Sequence, residues 1–171
     1  VIFPSHGALK TGIRLKAGSK LILQAHYPKG TIGQIDSTRV RFYFYPPGET
    51  GVRPMYVTTP LQNWTLPIPA NTTQTFTAQY TTPGSVSLYG VFPHSHKIGK
   101  SMLLYAHNSP GIDTIPMVRI NDWDFEWQDF YLYKKPLKVP AGYALFSKHI
   151  FNNTTSNPLA GNPPVNVSAG F

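Results

Sequence analysis

Apolar and polar residues alternate in short runs along this chain, and nearly every run ends at proline, glycine or asparagine. The alternation predicts strands over Thr11–Leu15, Lys20–Tyr27, Val40–Tyr45, Val52–Thr58, Gln74–Tyr80, Ser85–Phe92, Ser101–His107, Thr114–Ile120, Trp123–Tyr133 and Tyr143–Asn152. Between them stand Ala17-Gly18-Ser19, Pro46-Pro47-Gly48, Thr82-Pro83-Gly84, Asn108-Ser109-Pro110-Gly111 and Pro140-Ala141-Gly142, all good turn formers. No segment predicts a helix of ordinary length. Regular short strands so punctuated imply an all-β fold, an antiparallel jelly-roll β-sandwich.

The alternation is sharpest over Asp122–Asp129. In a strand, Trp123, Phe125, Trp127 and Tyr131 would share a buried face, and Asp122, Asp124, Glu126 and Gln128 the solvated one. Four of the chain's seven acidic residues lie here, so the run is expected to be the outer face of a core strand. The tail from Asn152 to Phe171 is expected to be irregular, with one short extended piece at Val165–Val167.

Composition agrees with the pattern. At 171 residues the chain can hold one full domain and part of another, and 17 prolines with 14 glycines suit strands joined by turns. It opens on Val1 rather than Met, which reads as a trimmed piece of something longer. No apolar run is long enough to span a bilayer, so no membrane span is expected. The net charge of +8 raises nucleic acid as a partner, but the basic residues are scattered and no recognition motif accompanies them, so none is expected. Five sequons, at Asn63, Asn71, Asn152, Asn153 and Asn166, permit a secreted or extracellular setting.

There is no cysteine, so any metal ligand must be His, Met or carboxylate. The candidate is Pro93-His94-Ser95-His96-Lys97-Ile98-Gly99-Lys100: in extended backbone His94 and His96 point to one side and can present two imidazoles to one ion. Imidazole suits copper, zinc, iron and nickel alike, so spacing alone does not choose among them.

Four pieces together resemble the copper type II, ascorbate-dependent monooxygenases, the family of peptidylglycine alpha-hydroxylating and dopamine beta-monooxygenases. They are Leu21-Ile22-Leu23-Gln24-Ala25-His26-Tyr27, then Phe92 to Lys100, Asp122 to Tyr131, and Phe151-Asn152-Asn153-Thr154-Thr155-Ser156-Asn157-Pro158, in family order. The resemblance implies two jelly-roll domains, with residues 1–47 closing the first and 48–171 forming most of the second. It implies metal ligation by His94 and His96 at the second-domain copper and by His26 at the first. The cofactor would be copper, with ascorbate as reductant, and the product a hydroxylated aliphatic C–H bond in a small molecule or peptide. The resemblance places a His-His pair upstream of Val1 and a ligand methionine in a strand after Phe171; Met55, Met102 and Met117 match other strands. His149 stands where relatives carry a cysteine, a position from which it could substitute as a ligand. The alternative is a non-catalytic β-sandwich subunit of a secreted or cell-surface assembly, completed by other protein chains; copper capture without oxygenation is a third reading.

Overall fold

The computed structural model describes residues 9–25, 27 and 29–168. The chain packs as two units, Val1–Val57 and Thr58–Phe171. Among the described residues every regular element is a strand and none is a helix, so no helix is long and apolar enough to cross a membrane.

In the first unit, β1 (Thr11–Gly12) pairs in parallel with β2 (Arg53–Pro54), and Thr11 is the buried residue. Tyr45 closes this small ladder: its hydroxyl donates to the carbonyl of Thr11 at 3.0 Å. The expected strands at Lys20–Tyr27 and Val40–Tyr45 are irregular where described, and Ile22 is 91% exposed. The reason is physical. A strand is stable only when a neighbour takes up its backbone groups and a core covers its apolar face, and two-residue pairing supplies neither.

The second unit holds the remaining strands: β3 (Thr72–Thr81), β4 (Val86–Val91), β5 (Gly99–His107), β6 (Thr114–Ile120), β7 (Tyr131–Val139) and β8 (Ala144–Asn153). They form two antiparallel sheets, one in the order β3-β8-β5-β6 and the other β4-β7. One of the two inner strands of the larger sheet, β8, pairs with β3 from Thr72↔Asn153 to Thr81↔Ala144 and with β5 from Gly99↔Phe151 to His107↔Ala144.

Two apolar clusters hold these strands. Ala106, Val139 and Leu145 are buried with Leu88, Ile115 and Met117 against them, so side chains of β4 and β7 meet those of β5, β6 and β8. Ile68, Ile98, Phe151 and Ala160 form the other cluster, with Phe76 and Val167 packed on it. Asn153, with no exposed surface, ties the tail to this second cluster; its Nδ2 lies 3.2 Å from the carbonyl of Ile68, 3.1 Å from that of Pro69 and 2.7 Å from that of Val165. Ile68 and Val167 form an isolated antiparallel bridge, the observed counterpart of the extended piece expected at Val165–Val167.

The expected strand Trp123–Tyr133 is corrected. Residues 121–130 run as turns and irregular backbone, and β7 begins only at Tyr131. Asp124 starts the departure: its Oδ1 accepts the amide of Glu126 at 2.9 Å, and its carbonyl accepts that of Trp127 at 3.2 Å. Side-chain capping of the local backbone competes with a sheet ladder, and here the cap prevails. Lys134, Lys135 and Pro136, which the pattern leaves outside any strand, belong to β7 instead. There the pairing skips from Leu88↔Leu137 to Gly90↔Leu132, so β7 bulges through residues 133–136 as β4 passes Tyr89. A proline is tolerated at such an irregular edge position because no ladder N–H is needed from it.

Candidate metal centre

The topology dictates which segments can meet. Segment 92–98 leads from β4 in the smaller sheet to β5 in the larger one, and segment 121–130 leads back from β6 to β7. Val91 is paired with Tyr131, and Met102 near the start of β5 with Ile120 at the end of β6. Both crossings therefore lie side by side at one end of the second unit.

The histidine motif sits on the first crossing with its odd and even residues turned opposite ways. Pro93 and Ser95 are buried, whereas His94 and His96 are exposed. Ile98 then plugs into the apolar cluster beneath, and its carbonyl accepts the amide of Asn152 from the end of β8 at 2.8 Å. Burying such a side chain contributes about 1.5–3 kcal/mol toward holding the segment down. Gly99 completes the anchor because a side chain there has no room: a Cβ would lie 2.6 Å from Ser95 Oγ and 2.8 Å from Trp123 Cδ1. The indole of Trp123, from the second crossing, is thus packed under the motif, with its Nε1 buried and without a protein partner.

The two imidazoles lie with ring centroids 5.1 Å apart and planes at 84°. A ring centroid lies about 3.2 Å from an ion bound at a ring nitrogen, so two imidazoles sharing an ion at a tetrahedral angle have centroids about 5 Å apart. The observed spacing matches that value, which is also that of an ordinary edge-to-face ring contact. His94 Nδ1 lies 2.7 Å from Gln128 Oε1, and Gln128 Nε2 donates to the carbonyl of Phe125 at 3.0 Å. Aromatic rings complete the surround: Phe92 lies parallel to His94 at 6.5 Å and packs on Phe130 at 4.6 Å, and Phe125 meets His96 edge-on at 6.4 Å. The segment carrying Gln128 also holds exposed Asp122, Asp124, Glu126 and Asp129, a local excess of negative charge on a chain of net charge +8.

Gln128 is the residue that sequence reasoning assigned to the solvated face; it is half-buried and turned onto His94. Its only signal was a neutral amide in a run of carboxylates. Trp127 errs in the opposite direction, being 68% exposed where the strand pattern put it inside.

The other histidines go elsewhere. His26 lies outside the described residues; its neighbour Tyr27 donates to Asp36 at 2.6 Å, a bond that raises the phenol and lowers the carboxyl from their ordinary values. His149 sits on β8 opposite Phe76 and Met102 and stacks on Phe151 at 6.5 Å; burial pushes its pKa down. His107 is at the far end of β5, its Nδ1 2.9 Å from the carbonyl of Asn108. Met102 is buried within β5, and Met117 packs in the core against Ala106, Val139 and Leu145. Among the described residues, no three His, Cys, Asp or Glu side chains converge on one point. Two borderline nitrogen donors with open space beside them fit a first-row transition ion, and copper is among the ions they suit. No protein-family model, no curated protein and no solved structure matches this chain.

Proposed function

We propose that this chain is part of a copper-dependent, ascorbate-driven monooxygenase that hydroxylates an aliphatic C–H bond, with His94 and His96 as ligands of the copper at which oxygen reacts. The observation that carries the reading is the pair of exposed imidazoles at 5.1 Å on the outer side of a firmly anchored crossing. The buried side of the same segment is made by Pro93, Ser95 and Ile98, so the two imidazoles are not part of the core. The two-ligand set leaves coordination positions open.

In this reading the two sheets are the faces of a jelly-roll sandwich, a reading supported by the cluster in which β4 and β7 meet β5, β6 and β8. His26 would serve a second copper, as the family resemblance implies. Copper bound by these ligands would supply one-electron exchange with dioxygen. Ascorbate would supply two electrons, so that one oxygen atom enters the C–H bond and the other leaves as water. What the chain itself contributes is the placement of two imidazoles beside the rings of Phe92, Phe125 and Phe130.

Titration of Cu(I) against a chromophoric chelator tests the ligand assignment. The expected result is one site per chain, weakened at least tenfold by His94→Ala and by His96→Ala. Ascorbate-dependent oxygen uptake above that of the His94→Ala/His96→Ala variant then separates oxygenation from copper capture. Equal copper binding by wild type and both variants overturns the reading.

A further inference from the structure

Two hydrogen bonds to one amide decide which nitrogen His94 turns outward. Gln128 Nε2 donates to the carbonyl of Phe125 at 3.0 Å, which leaves Oε1 facing His94 Nδ1 at 2.7 Å. Turning the amide over would set its oxygen against the Phe125 carbonyl oxygen, two acceptors with no proton between them. The backbone therefore fixes the orientation of the amide. An amide oxygen can only accept, so the contact with His94 requires the proton on Nδ1. Neutral imidazole carries one proton, and Nε2 is left with its lone pair free.

We infer that Gln128 is a positioning residue that holds His94 in the Nδ1-protonated tautomer, so that Nε2 is the nitrogen available to a metal ion. Its purpose rests on the metal-ligand reading of His94, but the proton placement can be measured with no metal present. The device has a reason to exist. A histidine free in water carries its proton mainly on Nε2, the arrangement that blocks binding through that atom. An outer hydrogen bond to the remote nitrogen removes that competition and fixes the ring plane. The sequence departs from its own alternation to make the bond: Asp124 and Glu126 stay exposed, while Gln128, after the turn that Asp124 starts, is drawn in.

Long-range ¹H–¹⁵N correlation spectra of the metal-free protein, recorded well above the ordinary imidazole pKa, test this directly. Wild type is expected to show His94 protonated at Nδ1. Gln128→Leu is expected to move the proton predominantly to Nε2, and Gln128→Glu, which keeps an acceptor oxygen, to leave it on Nδ1. A wild-type His94 protonated at Nε2 overturns the inference. So does an unchanged tautomer in Gln128→Leu with a native amide fingerprint. Should that variant lose its fold, the wild-type and Gln128→Glu spectra decide, a proton on Nε2 in either of them overturning the inference. With Cu(I) as probe, Gln128→Leu is expected to bind about 10–100-fold more weakly than wild type. Wild type that binds no copper overturns the metal reading and leaves the tautomer assignment standing.

Discussion

The two ends of the second unit differ in how far their side chains are enclosed. At the end away from the histidine pair, the links 82–85, 108–113 and 140–143 lie together and spend their polar groups on one another. Thr82, almost wholly buried, has its hydroxyl within 3.0 Å of the Pro140 carbonyl and 3.1 Å of the Tyr143 carbonyl, and its amide donates to Tyr143 at 2.9 Å. Gly142 donates back to Thr82 at 2.8 Å, Ala141 donates to Ser85 Oγ at 3.2 Å, and the Tyr143 hydroxyl donates to Asp113. Even the histidine there, His107, is half-buried between Tyr105 and Phe146 and bonded to a backbone carbonyl. At the other end the backbone is tied as well, with Trp123 donating to the Lys100 carbonyl and Asn152 to the Ile98 carbonyl, each at 2.8 Å, but both imidazoles of the motif stay exposed. The far end encloses its polar side chains in pairs, whereas on the histidine crossing His94 has its partner in Gln128 and still remains exposed.

That contrast predicts opposite mutational signatures. The largest effect belongs to His94→Ala combined with His96→Ala: copper affinity is expected to fall at least 100-fold, while chemical denaturation shifts by no more than about 0.5 kcal/mol, as for exposed side chains. Comparable losses in both measurements would erase the distinction between the two ends.

Next in size is Gly99→Ala, which reaches both properties. The added methyl must displace Ser95 or Trp123, so a stability loss of about 1–3 kcal/mol is expected from overpacking. Because Ser95 lies between the two histidines, copper affinity should fall as well, which Cu(I) competition measures. Thr82→Val acts at the other end alone. Removing the buried hydroxyl while keeping the shape is expected to cost about 1–2 kcal/mol, with copper affinity unchanged.

How far the sequence disclosed this arrangement depended on what each pattern was paired with. Gln74–Tyr80, Ser101–His107 and Thr114–Ile120 were legible because alternation there reports a real sheet face, and the strands found cover them. The same kind of signal at Lys20–Tyr27 and Val40–Tyr45 marks residues that could line a sheet, but a single segment cannot state whether a partner strand is present. The alternation at Trp123 and Phe125 had a third origin: these rings alternate because they reach under and beside the histidine motif, not because they line a sheet. The exposed side-by-side histidines were readable from period two alone. Gln128 was not, since its role is created by the meeting of two crossings far apart in sequence.

The smallest expected effect separates loss of copper from loss of fold in acid. His149 lies in the body of the larger sheet, and burial lowers its pKa, so the folded state resists the proton that the unfolded chain accepts near pH 6.5. Below that value the unfolded state binds more protons than the folded one, and stability must fall as pH falls toward the lowered native pKa. One group can contribute a slope of at most about 1.4 kcal/mol per pH unit. His149→Phe keeps an aromatic ring against Phe151 and cannot titrate, so denaturation curves between about pH 7 and pH 5 should flatten relative to wild type. Copper release on acidification should remain in that variant, because protons compete for the ligand imidazoles whatever the fold does. If His149→Phe instead abolished the acid sensitivity of copper binding, unfolding and not ligand protonation would be releasing the ion, and the histidine end would share the fate of the body after all.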